Sequence, residues 1–408
     1  MVKKAIVLGG TRPHITLIQK LKERGYYVIL LDYLVSPIAK DFADEHIQES
    51  TLDKDLVLKI ATERNADLVI STCIDQANVT AAYVCEKMGL PRPYDYNVAL
   101  NVTDKLKMKD ILIKNNIPTS RYKKIETSSD LENWDFKYPI IIKPTDSNSS
   151  KGIYKIEEPT SNLDQIINES ISFSRTKEAI VEEFVSGQEI GIDTFVSNGV
   201  AKVLMIKERR KIQKNSNGSQ NILGCIWPMQ LAPSIAKKAE QVANQIARAF
   251  GLKNSALMIQ AILKDDEISV IEFGARIGGG ESYRIIKDCV GFDYVEASIS
   301  TFTGEPLKEE LKKPEYFFAD NFIYSQECVF DHIDFCEQLI DDGTIDHAYE
   351  LKSKGSEIDA ALSSNNRVGT FVVKSKTIED LYSKINTVIS KMEVYDQNGK
   401  AVMRKDIY

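Results

Sequence analysis

The sequence predicts a protein that combines α/β and α+β architecture, with a parallel sheet at its N-terminus. Strand and helix patterns alternate from residue 4 to about residue 95, and the strands among them are short and apolar. Because a helix between two strands returns the chain to the same edge, this alternation is typical of a parallel sheet. Beyond residue 95 strand patterns dominate, which predicts further sheets of the α+β type.

The N-terminal elements are predicted in the order strand, helix, strand, helix, strand, helix. The strands are residues 5–8, 27–31 and 68–71, and the helices lie within residues 17–25, 56–61 and 79–88. A glycine turn after the first strand and Asp32 after the second suggest a dinucleotide-binding unit. The Gly-x-Gly-x-x-Gly fingerprint is absent, however, since the next glycine after Gly9 and Gly10 is Gly25. An NAD-dependent enzyme is therefore disfavoured.

Pro91-Arg92-Pro93 interrupts the alternating pattern and marks a boundary. An amphipathic helix is predicted at residues 235–250, because its small and apolar side chains recur on one face and Gly251 ends it. The other predicted elements are a basic helix at 105–112, strands at 138–143, 152–156, 179–184, 316–324 and 369–374, strand character over 191–207, a hairpin of 256–263 with 268–272, and a helix at 378–391. We expect domains over residues 1–95, 96–310 and 311–408.

Composition and charge exclude several classes of function. The net charge is −7 without a long basic run, which argues against non-specific nucleic-acid binding. No apolar stretch approaches the roughly 20 residues that span a bilayer. The six cysteines include no Cys-x-x-Cys pair and the four histidines are dispersed, so neither a disulfide framework nor a zinc site is expected. These features predict a cytoplasmic protein that binds neither nucleic acid nor membrane.

The most informative segment is residues 271–280, Ile-Glu-Phe-Gly-Ala-Arg-Ile-Gly-Gly-Gly. An apolar strand ends at Glu272, Arg276 follows four residues later, and three consecutive glycines come next. A carboxylate and a cation this close together can bind Mg²⁺ and phosphate oxygens, while glycines let the backbone approach a bulky anion. Gln260 lies on the other strand of the predicted hairpin, so its amide oxygen could face the same cation. A surface charge pair beside a glycine turn is the alternative interpretation.

Two upstream segments have related chemistry. Lys143 ends an apolar strand, and residues 145–152 after it are mostly small and polar, with hydroxyl and N–H groups that can enclose phosphates. Within residues 181–189, Glu182 and Glu189 flank a glycine turn. Extended backbone there can bind an adenine edge, and a carboxylate beyond the turn can accept bonds from both ribose hydroxyls. Each segment alone is also compatible with a solvated loop or hairpin.

Taken together and in this order, the segments resemble the ATP-grasp superfamily of carboxylate–amine and carboxylate–thiol ligases. The resemblance covers about residues 1–310. It depends on five linked matches: Asp104-Lys105 before a helix and Ile117-Pro118, Lys143 with its serine-rich loop, residues 181–189, Gln260, and residues 272–280. Within the superfamily, Glu-x-Gly-Ala-Arg-x-Gly-Gly is most similar to L-amino-acid ligases and carbamoyl-phosphate-synthase-like members. The resemblance implies a Rossmann-like N-terminal domain, a two-lobed ATP-grasp domain with a lid at about residues 118–185, and a small C-terminal α+β domain.

The resemblance also implies cofactors and site residues. ATP and Mg²⁺, which Mn²⁺ could replace, would be bound, and the partners would be small-molecule carboxylates and amines. Lys143 and Arg276 would be catalytic, and Gln260 and Glu272 would bind the metal. Nucleotide contacts would come from Lys105, Lys143, Ser149, Ser150, Gly152, Glu182, Glu183, Phe184, Val185 and Glu189. Substrate contacts would come from Arg284, Gly279 and His14, and a homodimer is common among such enzymes.

Two positions depart from the pattern of the superfamily. Many members have an asparagine where this chain has Gly274, and many have an acid where it has Gln260. An amide oxygen coordinates Mg²⁺ more weakly than a carboxylate. These changes leave the site with less negative charge, so the number of metal ions stays open.

The expected reaction activates a carboxylate as an acyl phosphate and joins it to an amine, of an amino acid or similar metabolite. One alternative is a purine-pathway ligase acting on a ribosylamine phosphate, for which residues 11–14 hint at a phosphate pocket. Another is a nucleotide-binding regulator without ligase activity, which the weakened metal site would suit. The acceptor site could involve His14, Asp75, Gln76, Arg284 or the polar residues 207–221. Solvated surface is the preferred interpretation for all of these except Arg284.

Overall fold

The computed structural model describes residues 2–132, 135, 137–147, 152–212, 221–307 and 310–408. The strands are β1 (Lys4–Leu8), β2 (Tyr27–Asp32), β3 (Glu45–Gln48), β4 (Leu68–Ile70), β5 (Tyr122–Ile125), β6 (Ile140–Pro144), β7 (Tyr154–Ile156), β8 (Ala179–Glu183), β9 (Gln188–Ser197), β10 (Val200–Lys211), β11 (Ile222–Trp227), β12 (Ser255–Lys264), β13 (Glu267–Gly274), β14 (Phe317–Tyr324), β15 (Cys328–Asp334), β16 (His347–Glu350), β17 (Glu357–Ile358), β18 (Arg367–Ser375) and β19 (Glu393–Asp396). The helices are α1 (Arg12–Glu23), α2 (Lys54–Arg64), α3 (Asp75–Met88), α4 (Tyr96–Thr103), α5 (Lys105–Lys114), α6 (Leu163–Ser172), α7 (Pro233–Ala249), α8 (Ser282–Val290), α9 (Tyr294–Thr303), α10 (Glu337–Asp341) and α11 (Ile378–Lys391). Within these ranges, no helix is both long enough and apolar enough to cross a bilayer.

The N-terminal sheet is parallel, as the alternating pattern predicts, and its strand order is β3-β2-β1-β4. Leu17, Ile18 and Leu21 on α1 are fully buried, so the predicted apolar face of this helix is confirmed. The edge strand β3 was not predicted, because its sequence Glu-His-Ile-Gln has little apolar character and is only partly buried. The structure confirms the mixed α/β fold class.

A second sheet, the lid sheet, has the antiparallel order β5-β8-β6-β7 and lies inside the range predicted for a lid. Its own small core includes Ile140, Ile142 and Val181, which are fully buried. Successive side chains along a strand point to opposite faces of a sheet. Glu182 on β8 pairs with Ile141 on β6, so Glu182 and Lys143 lie on the same face of the lid sheet.

The largest sheet has eight strands in the order β13-β12-β9-β10-β11-β14-β18-β16. We refer to it as the large sheet. It continues across residue 310, where a domain boundary was expected, because β11 pairs with β14 and places Cys225 opposite Asp320. Strands of the C-terminal segment thus extend the sheet that carries the predicted metal site. Helix α11 has the predicted bounds, and α7 lies within one or two residues of its predicted bounds.

One row of the large sheet carries the residues of the predicted metal site. Glu272 on β13 pairs with Gln260 on β12, Gln260 pairs with Gly191 on β9, and Gly191 pairs with Lys207 on β10. A side chain at Gly191 would collide with Lys207, because its Cβ would lie 2.5 Å from the lysine Cε. The predicted pairing of Gln260 and Glu272 on neighbouring strands is confirmed.

We expect Phe371→Ala, at a fully buried position of β18, to destabilise the fold by about 3–5 kcal/mol through the cavity it creates. Since β14 connects β18 to β11 by hydrogen bonds, amide hydrogen exchange should also accelerate in β11. Tyr382→Ala, at an exposed position of α11, is the control and should leave both measurements nearly unchanged. Unchanged exchange in β11 after Phe371→Ala would show that the C-terminal segment unfolds separately.

Candidate active site

Three adjoining cavities form a cleft over one face of the large sheet. The lid cavity, of about 140 Å³, lies between the lid sheet and the large sheet. The N-side cavity, of about 320 Å³, reaches Cys73 and Asp75 at the end of the parallel sheet. The C-side cavity, of about 310 Å³, is lined by residues of β10, β11 and β14. Gln260 and Glu272 line all three cavities, and Arg276 lines two of them, so these residues mark their junction.

A buried ion cluster holds Lys143 at the lid cavity. The carboxylate of Glu182 lies 2.9 Å from the Lys143 ammonium and 3.2 Å from that of Lys109, and it accepts a hydrogen bond from Ser120. Burial alone would raise the pKa of Glu182, but the two lysines lower it to about 2. Burial lowers the pKa of Lys109 to about 8. Lys109 was not predicted, because one more lysine in a basic helix carries no signal of its own.

The predicted adenine segment lines the lid cavity with Glu183, Phe184 and Val185. The Glu182 side chain is occupied by the two lysines, so any contact from this residue to a base would use its backbone. Glu189, predicted to bind ribose, also lines this cavity, and its carboxylate pairs with Arg209 at 2.7 Å and with Lys211 at 3.2 Å. This part of the cleft therefore presents both charge signs to a ligand.

Gln260 and Glu272, the two residues predicted to bind a metal, lie opposite each other with cations nearby. Glu272 is one-third exposed, and the Lys105 ammonium lies 3.6 Å from its carboxylate and 2.8 Å from the Ser147 carbonyl oxygen. Burial acts to raise the pKa of Glu272, but the charges of Lys105, Lys143 and other cations lower it overall. An ionised carboxylate opposite an amide oxygen suits Mg²⁺, which prefers oxygen ligands. Among the described residues, no group of three His, Cys, Asp or Glu side chains could hold a metal ion.

Arg276 is held by a residue of the N-terminal sheet region. Its guanidinium donates two hydrogen bonds to the Asp75 carboxylate, at 2.9 and 2.8 Å. A side chain at Gly274 would come within 2.9 Å of the Asp75 Oδ1 and 3.2 Å of the Arg276 Cζ. The absence of a side chain at Gly274 therefore leaves room for this ion pair. Asp75 was predicted as a possible acceptor-site residue, with solvated surface preferred, and its pairing with Arg276 was missed because two residues 201 positions apart show no pattern.

The structure describes only some of the residues predicted in the glycine-rich and serine-rich segments. Gly279 is exposed and lines the C-side cavity. Gly152 has a φ of +71°, and a Cβ there would lie 2.8 Å from the Phe173 ring, so glycine is required. Ser149 and Ser150 lie outside the described residues. The roles assigned to the loop therefore stay predictions.

Two of the predicted substrate residues do not reach the cleft. His14 is fully buried, its imidazole Nδ1 bonds Thr11 at the start of α1, and burial lowers its pKa to about 4. Arg284 is exposed on α8, pairs weakly with Asp288, and lines a different cavity. The structure thus places Arg284 outside the cleft, and its role in substrate binding stays a prediction.

Lys207 and Arg209 lie in the cleft instead, because residues 207–211 continue strand β10 and are not a solvated loop. The Lys207 ammonium is buried and contacts both oxygens of Asp193 and the hydroxyl of Ser282. The part of this stretch from residue 213 to residue 220 lies outside the described residues. The direction of these side chains is set by the pairing of β10 with its neighbours. The sequence pattern did not reveal this pairing, because the segment is highly charged.

Comparison with known proteins gives a family match and several related sequences. Residues 136–283 match the ATP-grasp domain family. The D-alanine–D-alanine ligase of Petrotoga mobilis is 30% identical over 141 residues, which are 34% of this chain and 46% of that protein. The chain therefore spans less than half the length of this relative.

Several solved structures share the fold over nearly the whole chain. The L-amino acid ligase from Bacillus licheniformis has a TM-score of 0.82 at 20% identity, covering 97% of this chain and 99% of that chain. The phosphoribosylglycinamide synthetase from Anaerococcus prevotii has a TM-score of 0.76 at 24% identity, covering 97% and 100%. At such identities the similarity concerns the fold alone. The fold agrees with the domain match, and residues 136–283 are thus identified as an ATP-grasp domain.

Proposed function

We propose that this protein is an ATP-dependent ligase that activates a small-molecule carboxylate as an acyl phosphate and joins it to an amine. The observation that carries this proposal is the junction of three cavities at Gln260, Glu272 and Arg276. One cavity can take the nucleotide, and the other two leave room for a carboxylate and an amine beside its terminal phosphate. The domain match, the ligase relative and the ligase fold support the same reaction.

The residues of the cleft have complementary tasks in this reaction. Lys105 and Lys143 supply charge for phosphate oxygens, and Gln260 and Glu272 are the residues that would hold Mg²⁺. Bound Mg²⁺ neutralises phosphate charge and orients the phosphates. Arg276 stabilises the charge that develops on the transferred phosphoryl group. The lid sheet excludes water, which would otherwise hydrolyse the acyl phosphate.

Alignment and charge neutralisation are the main contributions expected from the protein, because phosphoryl transfer needs little covalent chemistry from the side chains. The Glu182 cluster serves alignment, since it fixes the Lys143 ammonium through a buried carboxylate. We place the reaction in the cytoplasm, where ATP is supplied, and the free state of all six cysteines suits a reducing compartment. The homodimer stays a prediction.

The phosphoribosylglycinamide synthetase shares its fold with this chain, but the residues linked to each alternative do not support it. A purine-type ligase was linked to a phosphate pocket at residues 11–14, but Thr11 and the buried His14 bond each other there. A regulator without activity was linked to the weak metal site, yet the cations around Glu272 keep its carboxylate available.

The direct test is a screen of amino-acid pairs for release of phosphate and ADP in the presence of MgATP. We expect release that depends on Mg²⁺ and on both substrates, together with a product whose mass equals the sum of the pair minus water. ATP binding without turnover across a broad panel of carboxylates and amines would instead support the nucleotide-binding regulator. Release that requires a ribosylamine phosphate would support the purine-type alternative.

Arg276→Ala should reduce kcat by about 10²- to 10³-fold, because the lost donor acts on charge that appears in the transition state. The Kd for ATP should change far less, since the nucleotide is held chiefly by other residues. Steady-state kinetics and calorimetry measure the two quantities. Arg248→Ala, on the exposed face of α7, is a matched control and should keep both values. Near-full turnover in Arg276→Ala would contradict the role assigned to this residue.

Gln260→Glu should lower the Mg²⁺ concentration for half-maximal activity by about fivefold, equivalent to about 1 kcal/mol. The reason is that a second carboxylate opposite Glu272 raises the attraction for a divalent cation. A Mg²⁺ titration of turnover at saturating ATP measures the shift. Gln241→Glu, at an exposed position of α7, adds the same charge away from the cleft. An equal shift in both variants would contradict direct coordination by residue 260.

A further inference from the structure

The C-side cavity contains charged residues that the reaction proposed above does not use. Asp320 lies on β14 and Arg367 begins β18, and both line this cavity together with Glu272 and Arg276. Both residues lie outside residues 136–283, the part of the chain that matches the ATP-grasp domain. They reach the cleft because the C-terminal strands extend the large sheet.

Asp320 is a buried carboxylate at the cavity wall, with 2% of the residue exposed. Its Oδ1 accepts a hydrogen bond from the hydroxyl of Thr370 on the neighbouring strand. Its Oδ2 lies near Gly280, since a Cβ placed on this glycine would be only 3.4 Å from the Oδ2 atom. Gly280 has a φ of +67°, which favours glycine, so the last glycine of the run after Arg276 has no side chain to cover this oxygen.

Burial raises the pKa of Asp320 to about 6, because a buried carboxylate loses the solvation of its charged form. The charged and hydrogen-bonding groups around it come from four elements. They are Glu281 at the start of α8, Arg367 on β18, His347 and Tyr349 on β16, Cys225 on β11, and the hydrogen-bonding Thr370 on β18. A carboxylate with this pKa is ionised near neutral pH and can still accept a proton.

Arg367 is a cation with a fixed orientation in the same cavity. Its guanidinium stacks on the Phe322 ring at 3.6 Å, and its Nε donates to the Tyr324 hydroxyl at 2.9 Å. Its Nη2 lies 3.4 Å from the Ile222 carbonyl oxygen. These contacts use one edge and one face of the guanidinium, which leaves Nη1 outside the hydrogen bonds described for the residue. A planar cation anchored in this way suits a carboxylate.

We propose that the C-side cavity is the acceptor site and that it takes an amine bearing a carboxylate, with Arg367 binding the carboxylate and Asp320 receiving the proton of the ammonium group. This inference rests on the ligase function proposed above and names the class of its second substrate. The opposite charges of Asp320 and Arg367 match the opposite charges of an amino-acid zwitterion. Arg276 and Glu272 line the same cavity, so the acceptor nitrogen would lie beside the phosphate end of the nucleotide.

Asp320 acts on the acceptor before the C–N bond forms. The ammonium group transfers one proton to the carboxylate, which leaves a neutral nitrogen with a free electron pair. This nitrogen forms the new C–N bond to the acyl carbon, and the C–O bond to phosphate breaks with its electron pair. The second proton of the nitrogen departs with the released phosphate. Asp320 then returns its proton to water when the product leaves.

The test separates the two halves of the reaction with hydroxylamine, a small nucleophile that is largely neutral near pH 7. It can trap the acyl phosphate as a hydroxamate without help from a base. Asp320→Asn should keep hydroxamate formation within about twofold of wild type, yet lose about 10²-fold in amide formation from two amino acids. Since the ionised form is the base, amide formation by wild type should rise with pH through about 6, and Asp320→Asn should lose this rise.

Arg367→Gln should raise the KM for the acceptor amino acid by 10-fold or more and affect kcat less. An acceptor offered as its amide, which lacks the carboxylate, should be used equally poorly by wild type and Arg367→Gln. Asp341→Asn, at the exposed end of α10, is the control for Asp320→Asn, because it removes the same charge outside the cleft and should behave as wild type. Hydroxamate formation also reports that each variant is folded.

The outcomes distinguish the inference from the proposed function. If wild type forms no hydroxamate from any amino acid with MgATP, the ligase proposal itself fails. If wild type forms hydroxamate and amide, but Asp320→Asn retains amide formation with an unchanged pH profile, the role of Asp320 is overturned and the ligase proposal stands. If the amide of the acceptor is used as well as the amino acid, the role of Arg367 is overturned.

Discussion

The balance of charge around Glu272 is the constraint on which the rest of the cleft depends. Its carboxylate lies at the junction of three cavities and has Lys105 at 3.6 Å. Burial would favour its neutral form, but the surrounding cations outweigh that effect and keep it ionised. In the proposed function the same cations bind phosphates. One carboxylate would therefore serve both the metal and the anionic nucleotide.

Two further carboxylates hold cations in position around this centre. Glu182 fixes Lys143 from the lid sheet, and Asp75 fixes Arg276 from the N-terminal sheet region. Each pair joins a different part of the chain to the cleft, so the orientation of these two cations depends on how the parts pack. Gly274 is a consequence of the second pair, because any side chain there would crowd Asp75 and Arg276.

Several parts of this arrangement were predictable from local sequence. The parallel N-terminal sheet, the amphipathic helix α7 and the hairpin of β12 and β13 follow from periodicity, which depends only on neighbouring residues. The pairing of Gln260 with Glu272 followed from the short connection between two strands. Strand β3 and the cleft-facing residues of β10 were not predictable, because their polar sequences become ordered only through pairing with other strands.

The sequence by itself determined the order of the motifs, the carboxylate and cation of residues 272–276, and the resemblance that these features support. Tertiary structure alone decided which charges meet. It joined Asp75 to Arg276 across 201 positions, placed Lys109 beside Glu182, buried His14, and brought Asp320 and Arg367 into the cleft. The physical reason is that ion pairs and burial depend on distances between elements far apart in the chain, whereas sequence patterns report only local periodicity and composition.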